Sequence, residues 1–572
     1  MDHDALNWLS LADKFAAEGD PKGMRACARE LWDMDAESMD GAAVMAEAAL
    51  YSGEREEAQA LVEEILAKKP KHLRGRMVKA GLAAVEFRLD EEIPLLQEII
   101  AEVERKRNAL EPDDAYFGVL THILKKARGW LADAEYLAAR PDKAAKELLA
   151  RSEICEDPLE KAEMYSKYLF MSNYREQSIF ESRAAAEAYE PMLSITPYLH
   201  EDVKKLPEKK LRIGYLSPDF REHAVASFLE PLLKGYDGEH FSVYCYSTGR
   251  SDHVTKKIRA CHVHWRDLRG RSPRTAARLI AEDQIDILMD LSGHTQGSCL
   301  PIMAYRPAPV QLAGIGYMNT TGLSTVDYFL SDEVCLPTGE VTAEGFTEKI
   351  LRLPDSHLCY RPGFAREIPA AGTEAPCLRN GYVTFGSFNN FAKVTDETLL
   401  MWRSILDQVP DSRLVIKGKI CSIPSGKAIV KERLARLGVN MARIELRPYS
   451  PDYLEQYRDI DIALDAMPYN GGLTTCEALF MGVPVVSLRG RSHGARFGAS
   501  ILTNAGVREL VVENDLNYVR RAVQLGKSPE LVGAYHSGLR ANLLKSPLMD
   551  SKKYMNALQN GYRQIWKNFC TN

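Results

Sequence analysis

460-IDIALDAMPYNGGLTTCEALFMGVPVVSL-488 reads as a strand, a glycine turn, a helix and a second strand. Ile460, Ile462 and Leu464 alternate as a buried strand does, and Gly471 and Gly472 break that pattern ahead of a run with helical spacing. The run 483-VPVVSL-488 opens the next strand, so the segment is one crossover unit of a parallel sheet. The aspartates of 459-DID-461 have the look of a metal cluster, but the alternation assigns them to the strand.

The same grammar extends outward on both sides. The runs 211-LRIGYLS-217, 241-FSVYCYS-247, 285-IDILMDLS-292 and 310-VQLAGIGY-317 are apolar and separated by helical or loop segments. After the Pro/Gly/Ala-rich stretch 362-PGFAREIPAAGTEAP-376 the alternation restarts with 382-YVTFGSF-388, 412-SRLVIKG-418 and 442-ARIELRP-448. Two such series predict an α/β chain with two Rossmann-like lobes, 208–375 and 376–545, and a cleft between them. In the last segment, 546–572, Tyr554, Leu558, Tyr562 and Trp566 fall on one helical face, which is expected to pack back on the first lobe.

Residues 1–190 follow another pattern, rich in Ala, Leu, Glu and Lys with helical spacing throughout. Gly19 and Gly53 close matching helix pairs and stand 34 residues apart, the tetratricopeptide period. A third unit near 79-KAGLAAVEFRLDEEIPLLQEII-100 has Phe87 where a glycine is expected, and 131-LADAEYLAARPDKAAKELLARSE-153 repeats the pairing once more. Repeats of this kind present concave surfaces to peptides, so this region predicts a protein partner and offers a surface for self-association.

Composition narrows the function classes. The 572 residues imply roughly three to five domains. Hydrophobic residues at 45% and charged residues at 27% describe a globular protein, and no apolar run reaches the roughly 18 residues that a membrane span needs. The start, MDHDALNWLSLADKF, lacks the basic-then-apolar pattern of a secretory signal, so a cytoplasmic location is expected. Eleven cysteines without a C-x-x-C pair argue against a zinc ribbon, a thioredoxin-like site or a disulfide framework. The net charge of -6 gives no general field for nucleic acid. Neither a G-x-G-x-x-G after the first strand nor a G-x-x-x-x-G-K-[ST] is present, so the standard dinucleotide and P-loop readings are poor.

In open parallel sheets ligands collect beyond the carboxyl ends of the strands. There the first lobe offers His223 in 217-SPDFREHAVASF-228, His294 in 293-GHTQG-297, and Thr320, Thr321 and Gly322 in 318-MNTTG-322, the last three as acceptor-side or sugar-side candidates. The second lobe offers Lys393 in 388-FNNFAKVTD-396, and Gly471, Gly472, Thr474 and Thr475 ahead of a helix that holds Glu477. Amides at a helix start, exposed by glycines and joined by hydroxyls and a lysine, suit phosphate oxygens. Glu477 could accept hydrogen bonds from sugar hydroxyls.

Taken together, 212-RIGYLSPDFREHAVASFLEP-231, 286-DILMDLSGHTQG-297, 306-RPAPVQLAGIGYMNTTGLSTVDYFLSDE-333, 385-FGSFNNFAKVTDETLLMW-402 and 464-LDAMPYNGGLTTCEALFMGVPVVSL-488 resemble the bacterial branch of the O-GlcNAc transferase and SPINDLY-type glycosyltransferases. The resemblance spans roughly 160–545. It implies a GT-B fold preceded by tetratricopeptide-like repeats, a nucleotide-sugar donor, inversion at the sugar carbon with neither cofactor nor metal, and a Ser or Thr acceptor in a protein. By position it assigns Lys393 and Asn390 to the donor, His223 to the cleft entrance, Thr474 and Thr475 to the diphosphate loop and Glu477 to the ribose. His223, His294 and Lys393 are thus the catalytic candidates. The chain departs from the animal enzymes at Gly472 and Leu473, where they carry a histidine and a threonine. It departs again at Ser450 and Tyr453, where they carry a lysine and a base-stacking histidine; Tyr453 could still stack. These changes leave open another donor, such as GDP-fucose or UDP-glucose, and, in a different class, a repeat scaffold whose transferase region has lost activity.

Overall fold

The computed structural model describes residues 3–571. The chain divides into two compact units, Met1–Met164 with Ser422–Val430, and Tyr165–Cys421 with Lys431–Asn572.

The first unit contains four helix pairs: His3–Glu18 with Pro21–Met34, Met39–Ser52 with Arg55–Lys68, Leu73–Val85 with Leu89–Arg107, and Ala115–Leu137 with Pro141–Glu153. Each pair turns through one left-handed residue: Gly19, Gly53, Phe87 and Ala139, with φ of 69°, 78°, 54° and 57°. The first four-turn helix reaches the seventh, since Leu6 shares one apolar cluster with Leu73, Leu96, Leu120 and Leu131. Between the helices Arg74 is buried against Asp13 and Glu47, and Lys126 also binds Glu47. These buried ion pairs tie the first, third, fifth and seventh helices together. A hollow of about 630 Å³ remains beside His72, Arg74, Lys106 and Tyr116.

The second unit holds two parallel sheets. In the first lobe β1 (Leu211–Ser217), β2 (Phe241–Ser247), β3 (His264–Asp267), β4 (Ile287–Asp290), β5 (Val310–Ala313), β6 (Tyr328–Asp332) and β7 (Lys349–Leu353) run in the order β3-β2-β1-β4-β5-β6-β7. In the second lobe β8 (Thr384–Ser387), β9 (Arg413–Lys417), β10 (Ile444–Arg447), β11 (Ile462–Leu464), β12 (Val485–Leu488) and β13 (Val511–Val512) run in the order β10-β9-β8-β11-β12-β13. Every pairing is parallel, so all strands of a lobe deliver their carboxyl ends to one edge. This is the GT-B arrangement.

Several strands stop earlier than their apolar runs. The run 285–292 ends as a strand at Asp290 because that buried carboxylate takes the Ser292 hydroxyl at 2.7 Å and the Gly293 amide, turning the chain out of the sheet. The helical region expected to end at residue 190 also divides earlier. From Tyr165 onward the helices pack on the first lobe: Ser166 Oγ bonds to His294 Nδ1 at 2.8 Å, and Asn319 Nδ2 donates to Asn173 Oδ1 at 3.0 Å. The closing helix Ser551–Thr571 buries Tyr554, Leu558, Tyr562 and Trp566. It returns to the first lobe, where Trp566 Nε1 donates to Leu206 O at 3.0 Å. Among the described residues no helix is long and apolar enough to cross a membrane.

Candidate functional site

The second-lobe site is built from the carboxyl ends of β8 and β11. Past β11 the chain reaches Asp465, which is buried and holds the following loop: its Oδ1 accepts from the Gly471 amide at 2.8 Å and its Oδ2 from the Ser487 hydroxyl at 2.6 Å. A side chain at Gly471 would set its Cβ 2.4 Å from Thr474 Oγ1, so the loop closes only over a glycine. Gly472 caps the helix Leu473–Phe480 and supplies no side-chain bond to its first turn. The first intrahelical bond is Cys476 N to Gly472 O, so the amides of Leu473, Thr474 and Thr475 lie at a helix start open to an anion.

Lys393 follows β8 at the end of the short turn Phe391–Lys393. Its Nζ donates to Asn470 O at 3.0 Å and lies 3.5 Å from the centre of the Tyr469 ring, so the cation is fixed on the same loop. Burial lowers its pKa to about 8, and Asp465 opposes that shift. A strand-end ammonium beside open helix-start amides can neutralise a diphosphate.

The two threonines have different duties. Thr475 is buried and its hydroxyl donates back to Gly471 O at 2.9 Å, so it fixes the loop. Thr474 is half-buried and donates to Asn389 Oδ1 at 2.8 Å. Of the asparagine pair after β8, then, the buried Asn389 belongs to the site's framework, while the exposed Asn390 caps the 391–393 turn by accepting from Ala392 N at 3.2 Å.

Glu477 is buried and accepts from the Tyr453 hydroxyl at 2.6 Å, with Arg366 Nη1 3.6 Å away. Burial raises its pKa to about 7, against the pull of Tyr453 and Arg366. The Arg366 guanidinium also donates to the Tyr453 hydroxyl, and its Nε is buried without a hydrogen-bond partner. Tyr453 and Glu477 of the second lobe, with Arg366 from the interlobe stretch, form a second polar group suited to sugar hydroxyls and a planar base. Asn389, Asp465 and Arg366 escape the sequence reading. Asp465 sits at the end of the alternating strand and passes for one of its polar positions, and Arg366 lies in the interlobe stretch, where no periodicity marks it.

The first lobe gives a different outcome. His223 is half-buried, its side chain 37% exposed, with Nδ1 3.6 Å from Asp219 Oδ2. Burial lowers its pKa, partly offset by Asp219. His294 is fully buried: Nδ1 meets Ser166 Oγ at 2.8 Å and Nε2 meets Thr321 O at 2.9 Å, with Tyr189 and Tyr317 edge-on to the ring. Its pKa drops to about 4 through burial. Both ring nitrogens are engaged, so His294 is a packing residue and not a candidate base. Thr320 and Thr321 are likewise corrected, because both are fully buried and bind Glu348, Thr320 Oγ1 at 2.7 Å and the Thr321 amide at 2.8 Å. Gly322 has φ of 71°, and a Cβ there would fall 2.0 Å from Ala186 O. Gly322 thus lets the loop pass close to the 179–187 helix, while the hydroxyls of Thr320 and Thr321 are spent on Glu348.

Two parallel sheets in one unit, with an anion-ready helix start at a strand end of the second, define a GT-B protein. The profile of glycosyl transferase family 41 matches residues 176–360 and 365–558, and the chain belongs to that family. Over 383 residues, 64% of this chain and 40% of the relative, it is 40% identical to the probable UDP-N-acetylglucosamine–peptide N-acetylglucosaminyltransferase SPINDLY of Petunia hybrida. Against the probable UDP-N-acetylglucosamine–peptide N-acetylglucosaminyltransferase SEC of Arabidopsis thaliana the identity is 27% over 379 residues, 64% of this chain and 38% of the relative. The chain thus spans about 40% of the length of these curated relatives. A mutant O-GlcNAc transferase of Thermobaculum terrenum superposes with a TM-score of 0.73 at 26% identity, covering 100% of this chain and 99% of that one.

Proposed function

We propose that this protein transfers GlcNAc from UDP-GlcNAc to Ser or Thr side chains of a protein acceptor, with inversion at the sugar carbon and without a cofactor or catalytic metal. The observation that carries the reading is Lys393 fixed on the Asn470 carbonyl beside the open helix start at Leu473–Thr475. Negative charge that grows on the departing nucleoside diphosphate would meet donors already in place, which is where electrostatic catalysis gains most. Tyr453, Glu477 and Arg366 would hold the nucleoside. The attacking hydroxyl must give up its proton; burial favours the neutral form of His223, which can receive it directly or through water. The reading extends to a cytoplasmic location and to a protein acceptor engaged by the helical unit, which also serves for self-association.

A donor other than UDP-GlcNAc is favoured by one feature, the absence of a side chain at Gly472 on the cap of the diphosphate helix. A panel of nucleotide sugars incubated with the protein and an acceptor extract decides between donors: UDP-GlcNAc should be the one consumed and transferred. Preferential consumption of GDP-fucose or UDP-glucose would replace the donor while keeping the site. Lys393→Ala should abolish transfer in a folded protein, and near-normal turnover by that variant would remove the central claim.

A further inference from the structure

Where the two lobes meet, behind the loop that carries Tyr469, a sulfur and two imidazoles converge in the interior. Cys335 follows β6, His357 follows β7 and His493 follows β12, and all three are buried. The Cys335 thiol sulfur and one ring nitrogen of each histidine all lie within 4.8 Å of one another. Sequence spacing does not announce the group, since its members come from three strand ends and two lobes.

Each imidazole is oriented by an acceptor on its Nδ1. His357 Nδ1 bonds to Asp332 Oδ2, and that carboxylate is itself held by the amides of Cys335 at 2.8 Å and His357 at 3.0 Å and by the Ser500 hydroxyl at 2.8 Å. His493 Nδ1 lies 3.2 Å from Met318 O, a carbonyl that can only accept. Both Nδ1 atoms therefore carry the proton, and each Nε2 is left with a lone pair; that of His493 takes the Ser331 hydroxyl at 3.0 Å. Carboxylate and carbonyl partners on the far ring nitrogen are how proteins orient imidazoles toward a cation. The Cys335 thiol makes a long contact to Arg496 O at 3.5 Å, and burial beside the Asp332 carboxylate keeps it protonated until a bound cation displaces the proton.

We propose that Cys335, His357 and His493 bind a divalent transition cation of the zinc type, which ties the first lobe to the second. Sulfur and imidazole donors select such a cation over magnesium or calcium, which require oxygen. Binding forms one metal–sulfur and two metal–nitrogen bonds, releases the thiol proton to solvent and leaves a fourth position for a solvent molecule. A hollow of about 720 Å³ lined by Asn470, Arg489, His493 and Arg496 reaches the cluster at His493. The site is structural and separate from the transfer chemistry, so it stands whichever sugar nucleotide the enzyme uses.

The full-length protein, freed of any histidine tag and stripped with a chelator, is titrated with Zn2+ and, separately, with Co2+ followed by absorbance. About one equivalent of zinc per chain should be retained after gel filtration, and cobalt should give a thiolate charge-transfer band together with tetrahedral ligand-field bands. Cys335→Ser should remove the charge-transfer band and weaken binding by about tenfold or more, and His493→Gln should weaken it comparably. Retention of less than about one tenth of an equivalent by the wild type, against the one ion per chain of a structural site, overturns the proposal. So does a Cys335→Ser variant with the wild-type cobalt spectrum. The wild-type titration decides the matter even where a variant does not fold, and circular dichroism shows which variants do.

Discussion

At the residue scale the site rests on two groups whose charge states must be opposite. Lys393 has to be charged to meet a diphosphate, and burial brings its pKa to about 8. His223 has to be neutral to accept a proton, and burial holds its pKa below the usual imidazole value of about 6.5. The sign follows for each: acid protonates His223 and removes the base, and alkali deprotonates Lys393 and removes the cation. A plot of kcat/KM against pH, which reports the free enzyme, should therefore be bell-shaped with its alkaline limb near pH 8. Lys393→Arg, whose guanidinium stays charged above about pH 12, should keep partial activity and lose that limb; an unchanged alkaline limb would assign it to another group. His294 makes the contrasting case. His294→Ala removes its bonds to Ser166 and Thr321 and its contact with two tyrosine rings, so thermal unfolding should register a loss of about 2–4 kcal/mol. The acid limb should remain, because both ring nitrogens of His294 are engaged within the fold.

At the level of single elements, the repeat turns show what sequence can and cannot display. Gly19 and Gly53 take φ of 69° and 78°, where glycine carries no Cβ penalty, and the 34-residue spacing is visible because of them. Phe87 holds the third turn at φ of 54° with about half of its surface in solvent, so it bears the left-handed strain of about 1–2 kcal/mol with only partial compensating burial. Phe87→Gly should raise stability by about 0.5–1 kcal/mol after the extra unfolded-state entropy of glycine is subtracted, read as a higher denaturation midpoint. No gain would mean that the aromatic ring contributes more than its exposure suggests. The strands divide on similar physical lines. The sheet-centre strands β1, β8 and β11 are apolar and legible, whereas β3, β7 and β13 are edge strands with one neighbour each, and 264-HWRD-267 carries too many polar residues to stand out. The candidate site was legible where local chemistry marks it, as at Lys393 and the Gly471–Thr475 loop. It was not legible where a partner distant in sequence decides a residue's role: Glu348 turns Thr320 and Thr321 inward, and Thr474 selects Asn389 over its neighbour.

Across the whole molecule, the angle between the lobes is set by contacts that recross the cleft after the second lobe is complete. The chain leaves β13, builds the helices Asp515–Gly526 and Pro529–Leu543, and then sends Ser551–Thr571 back to the first lobe. There Trp566 is fully buried with its indole N–H on Leu206 O, Arg563 Nη1 donates to Pro207 O and Lys209 O at 2.8 Å, and the Tyr562 and Tyr215 hydroxyls meet at 3.3 Å. A helix that follows the second lobe and packs on the first couples the two, so the lobes should unfold together. Trp566→Ala, which opens a cavity and orphans a carbonyl, should cost about 3–5 kcal/mol, whereas Tyr562→Phe, which keeps the ring, should cost about 1 kcal/mol. Calorimetry of the Trp566 variant should show a single transition moved to lower temperature. A second-lobe transition left at the wild-type temperature would show instead that the lobes unfold independently. Because this helix touches neither Lys393 nor the Leu473–Phe480 helix start, nucleotide affinity of the folded variant well below its midpoint should stay within about twofold of wild type, as expected for distant, independent positions.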